Sequence, residues 1–115
     1  MRSLIIGSEH WMDIDAIRQE LTMLPISSTV IIGERSGCDV IVARIAKEEL
    51  ALDVEVLRSD DYPSFRQCLS ETLVSGEIDS CFFFIISNKE MEHSLIRQAR
   101  ACRIETTVVK QNDKN

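Results

Sequence analysis

Short β-rich apolar runs alternate along the chain with longer segments in which apolar residues return every three or four positions. Runs of the first kind suit strands buried on both faces, and segments of the second kind suit amphipathic helices. Their alternation predicts βαβ units around a mostly parallel sheet. Five strands are expected, at 3–7 (SLIIG), 29–32 (TVII), 54–57, 81–86 (CFFFII) and 104–109. Four helices separate them. The first spans 13–24, with Asp13 as its N-cap and Ile14, Ile17, Leu21 and Leu24 on one face, and Pro25 stops it. The second, over 38–50, carries Ile41, Val42, Ile45, Ala46 and Leu50. A third stripe, Phe65, Cys68, Leu69, Thr72 and Leu73, ends at Gly76, as a helix closed by a left-handed residue would. Met91, Leu95, Ala99 and Cys102 mark the fourth. Because CFFFII is apolar on both faces, it is placed in the middle of the sheet, with helices above and below. The expectation is one α/β domain over 1–110, a mostly parallel five-stranded sheet flanked by helices in three layers, with a polar tail at 111–115.

Composition narrows the function. At 115 residues and 44% hydrophobic content the chain can build one modest core. A formal charge of −6 works against binding nucleic-acid phosphates or an anionic membrane surface, so neither is expected as a partner. No apolar run approaches the roughly 20 residues needed to span a bilayer, and the opening MRSLIIGSEHW lacks a leader's features, so a soluble, cytoplasmic protein is expected. Cys38, Cys68, Cys81 and Cys102 are widely spaced in stretches that read as core, which points to reduced thiols. No C-x-x-C occurs and neither His10 nor His93 lies near a cysteine, so no metal site is expected.

In a parallel sheet of this kind, ligands are met by the loops that follow the strands, where helix N-termini present unpaired N–H groups and partial positive charge. Here those loops fall at 7–11, 33–39, 58–63 and 87–90. Two strands end alike, in IIGSE and IIGER. In the second, Gly33 allows a tight turn and Gly37 a close backbone approach, the ingredients of a phosphate cradle. The spacing matches neither a dinucleotide fingerprint nor a P-loop. Ser36 and Asp39 also fit a capping box that needs no ligand. Cys38, near a helix start, has no histidine placed as its base and reads as a small packing residue. His10 and Trp11 are equally suited to touching a base or folding back on the helix edge. Phe82, Phe83 and Phe84 read as core.

The segments LIIGSEHW, IIGERSGCD leading into VIVARIA, and LIRQARACRIETTVV resemble the small YspA-like (cpYpsA-related) members of the SLOG superfamily, over about Leu4 to Val109. These are Rossmann-like domains related to cytokinin-activating phosphoribohydrolases and to DNA-processing protein A. The resemblance implies a Rossmann-like fold that binds a nucleotide or nucleotide-derived ligand at its loops. Gly7 and Ser8 match the family's G-S-R; Gly33, Gly37 and Asp39 match its H-G-G-A-x-G-A-D; Arg97 and Ala99 match its last helix. Glu9 stands where the family has arginine, Glu34 where it has a second glycine, and Met91-Glu92 replaces a Gly-Thr pair. Each change brings a carboxylate toward the implied phosphate site, repelling a phosphate at contact distance by about 1 kcal/mol in water. Arg35 and Arg58 offset part of that charge. The P-G-G-x-G-T-x-x-E signature of the phosphoribohydrolases is absent, so no catalytic residue is assigned.

Three readings follow. The first is a binding module for a nucleotide-derived small molecule, held by Gly7, Ser8, Glu9, Gly33, Glu34, Arg35, Gly37, Asp39, Ser87 and Asn88, with the ligand's identity and any cofactor open. The second is a degenerate, non-catalytic scaffold acting through self-association, for instance as a homodimer, or through a protein partner. The third gathers Glu9, Glu34, Asp39 and Glu92 around a divalent metal that acts on a phosphorylated substrate.

Overall fold

The computed structural model describes residues 1–8, 11, 13–33, 37–57, 65–86 and 90–110, with the backbone alone for 65, 66 and 90–92. Five strands, β1 (Arg2–Gly7), β2 (Thr29–Ile32), β3 (Asp53–Val56), β4 (Ser80–Ile85) and β5 (Glu105–Lys110), form one sheet in the order β3-β2-β1-β4-β5, and every pairing is parallel. The helices are α1 (Ile14–Thr22), α2 (Gly37–Arg44), α3 (Phe65–Val74) and α4 (Glu90–Ala101). This is a Rossmann-like α/β arrangement in three layers.

Strand order explains the layering. From β1 to β3 the chain moves one way across the sheet, so right-handed crossovers put α1 and α2 on one face; the return to β4 and β5 puts α3 and α4 on the other. Side chains alternate to match. Ile5, Val30, Ile32, Phe82 and Phe84 pack with Ile17, Leu21, Val42 and Ile45. Leu4, Ile6, Ile31, Phe83 and Ile85 pack with Leu69, Leu73, Leu95 and Ala99 on the opposite face.

Local signals account for the helix ends. The Asp13 carboxylate accepts from Ala16 N at 3.1 Å, capping α1 as its sequence implies. Gly76, two residues beyond α3, has φ +82°, the left-handed conformation that closes a helix.

Four expectations need correction. The middle strand is β1, whereas β4 lies one place toward the edge, buried along its whole length between β1 and β5. The second helix changes after Arg44 into a π-helical turn, Ile45–Glu49, in which Leu50 N donates to Ile45 O, and Leu50 falls outside it. Ile14, in the first turn of α1, is 44% exposed. Cys102 is also exposed, because α4 ends at Ala101 and the chain turns through Arg103, at φ 60°, toward β5.

Candidate functional site at the carboxyl edge of the sheet

The sheet's topological switch lies between β1 and β4, since the chain leaves β1 toward β2 and β3 but runs from β4 outward to β5. Loops leaving such neighbouring strands diverge to opposite faces and open a crevice, the place where sheets of this kind hold ligands. The ladder continues into this crevice: Ser8 N donates to Phe84 O at 2.9 Å, and Trp11 N to Ser8 O at 3.1 Å. Ser8 is buried.

Trp11 does not face the crevice as a stacking platform. It is 3% exposed, its ring lies edge-on to Phe84 with centroids 5.3 Å apart, and its indole N–H donates to Asp13 O at 2.8 Å. The fold-back reading of this residue is therefore the right one: the large apolar ring is worth more in the core, and the N–H finds a carbonyl there.

Gly7 and Cys38 define how α2 meets the end of β1. A Cβ on Gly7 would lie 2.7 Å from Cys38 Cβ and closer still to its Sγ. The missing side chain of Gly7 thus seats the first turn of α2 against the sheet, a packing role that the reading as a ligand contact did not contain. Cys38 is fully buried, and burial, helped by the neighbouring Asp39 charge, pushes its thiol up to about 12. A thiol held so firmly neutral is no nucleophile. It is the packing residue expected.

The adjacent strand and helix supply the rest. Gly33 follows β2 and is buried; Leu57 N donates to Ile32 O at 2.7 Å, carrying the β2–β3 pairing up to it. Gly37 opens α2 and is exposed, while Asp39, in the same first turn, is buried and held by interactions with its surroundings. Gly7, Ser8, Gly33, Gly37 and Asp39 therefore all gather at one edge of the sheet, at the ends of β1 and β2 and the start of α2.

Glu9, His10, Glu34, Arg35, Ser36, Arg58, Ser87 and Asn88 lie outside the described residues, as do the side chains of Met91 and Glu92. Among the described residues no group of three or more His, Cys, Asp or Glu is placed to hold a metal ion. No described helix is long and apolar enough to cross a membrane. Arg97 is exposed on α4 and Ala99 is buried.

One feature lay beyond the sequence. A groove of about 210 Å³ runs between α3 and the edge strand β3, lined by Arg2, Glu55, Leu57, Glu71, Thr72, Ser75, Glu77 and Ile78. Arg2 organises one wall, donating to Glu55 Oε2 at 2.9 Å and to Glu77 O at 3.2 Å, while its own N–H donates to Asp79 Oδ2 at 2.8 Å. These contacts join residues more than fifty positions apart, so no local pattern announces them.

Set beside known proteins, the chain matches no protein-family model and no curated protein significantly.

Proposed function

We propose that the protein is a SLOG-type binding module for a nucleotide or nucleotide-derived small molecule, held in the crevice at the carboxyl edge of the sheet. The observation that supports this most is the switch between β1 and β4, beside which the exposed Gly37 opens α2. A phosphate at that point would meet backbone N–H groups and the positive end of the α2 dipole. Ser8, Gly33 and Asp39 would complete the described part of the cradle, with Glu9, Glu34, Arg35, Ser87 and Asn88 contributing from the neighbouring loops. Gly7 supports the cradle by packing. No catalytic step is assigned. A cytoplasmic location suits the four free thiols.

A second reading, the ligand-free scaffold, is favoured by Asp39. Its buried carboxylate already occupies the first turn of α2, the place whose partial positive charge a phosphate would otherwise use.

A thermal-shift panel with AMP, ADP-ribose, NAD, ATP and cyclic dinucleotides, each with and without magnesium, separates the two. A ligand present at about 100 times its Kd stabilises the fold by about 2.7 kcal/mol, a clear rise in Tm for a domain of this size. A shift abolished by Gly37→Leu supports the module; no shift with any compound supports the scaffold, and magnesium dependence would bring back the metal-assisted reading.

A further inference from the structure

The two edges of the sheet carry opposite charge. Along the β3 edge, Asp53 and Glu55 are exposed on the strand, with Glu71 of α3 and Glu77 exposed beside them over the apolar Leu57 and Ile78. Arg2 pairs with Glu55, whereas the Glu71 and Glu77 side chains have no ion-pair or hydrogen-bond partner among the described residues. Along the β5 edge the exposed charged residues are Arg97, Arg100, Arg103 and Lys110, with Glu105 the acidic exception. Helix geometry sets the Arg100 side of α4 apart from α3. Leu95 and Ala99 face the sheet and Gln98 faces α3, through a 2.9 Å bond from Ser70, which leaves Arg100 on the flank toward β5.

Both edges also present main-chain N–H and C=O groups without a further strand among the described residues, the arrangement most prone to pairing with another chain. Charge decides which pairing is favoured. Two β3 edges would face acid with acid, and two β5 edges would bring Arg100, Arg103 and Lys110 of both copies together. Unlike edges set four acidic residues against four basic ones. A two-fold dimer through either edge is therefore opposed, and a head-to-tail contact is favoured.

We propose that the β5 edge of one copy docks on the acidic β3 edge of a second copy. The docked pair then keeps one free edge of each kind, so assembly grows with concentration beyond a dimer. The contact lies apart from the ligand crevice, and it gives the scaffold reading a surface without requiring that the crevice be empty.

Sedimentation of the full chain over a concentration series tests this directly, and its result is independent of any nucleotide response. The wild type is expected to grow progressively. Glu71→Arg with Glu77→Arg, and separately Arg97→Glu with Arg100→Glu, should each remain monomeric while keeping the wild-type circular dichroism. Mixed together, the two variants should associate where neither does alone, because the intact β5 edge of one meets the intact β3 edge of the other and the two reversed edges are again of opposite charge. If either charge reversal prevents folding, the milder Glu71→Gln with Glu77→Gln should still weaken association at least tenfold. A wild type that stays monomeric throughout, a species that stops at a dimer, or variants that associate like the wild type would overturn the proposal.

Discussion

At Gly7 the carboxyl end of β1 and the start of α2 are too close for any side chain. Replacing it with alanine forces a Cβ into Cys38, and overpacking of this kind costs about 1–3 kcal/mol. Gly7→Ala should lower Tm, with a smaller penalty when Cys38→Ala is present; equal stability of Gly7→Ala and wild type would contradict the packing role. The same geometry governs the thiols. Cys38, Cys68 and Cys81 are buried and Cys102 is exposed, so iodoacetamide should add once to the native protein and four times after unfolding, as read by mass spectrometry. Burial raises Cys38 and Cys81 to about 12 from an ordinary 9.0. Because the folded values are raised, the stability linked to the neutral thiols is complete below pH 9 and drains away as pH climbs toward 12. Chemical denaturation across that window should show a falling unfolding free energy, which is reduced in Cys38→Ala. The packing role of Cys38 was readable because no base stood near it in sequence; that of Trp11 was not, because its choice depends on Phe84, far along the chain.

The Asp13 cap on α1 holds one of the helix's first N–H groups, so Asp13→Ala should cost about 1 kcal/mol in denaturant unfolding. Phe84 is fully buried and packs edge-on to Trp11, and Phe84→Ala should cost about 3–5 kcal/mol and expose the indole, shifting its fluorescence to longer wavelength. An unshifted spectrum would mean that Trp11 does not rest on this strand. Strand and helix were readable apart, since short β-rich apolar runs and longer stretches at three-to-four spacing differ plainly. Element position was not. CFFFII tells that both faces are covered, yet nothing local distinguishes the central strand from its neighbour; the crossovers decide that. Nor does a stripe at three-to-four spacing separate an α-helix from the π-helical turn after Arg44, as both bring Val42, Ile45 and Ala46 to the core. The bidentate pair between Arg18 of α1 and Glu49 of that turn holds the carboxyl below its usual range, chiefly by hydrogen bonding.

On the scale of the molecule, the net charge of −6 concealed a segregation that the strand order reveals, because the crossovers put β3 and β5, with the acids beside one and the bases beside the other, at opposite edges of the sheet. The candidate site was more open to sequence reasoning. Two strands ending in glycine, in a fold that places strand ends at one edge, were enough to gather Gly7, Ser8, Gly33, Gly37 and Asp39. The packing demand on Gly7 was not readable, since it is set by Cys38, far along the chain. The proposed nucleotide-derived ligand of the crevice beside the β1–β4 switch is best sought by amide chemical-shift mapping on titration with ADP-ribose, AMP and NAD. Saturable shifts are expected on Ser8, Gly33, Gly37 and Cys38, with the amides of Glu77 and Lys110 unmoved. Spectra unchanged by every compound, or shifts centred on the groove beside β3, would contradict the proposal.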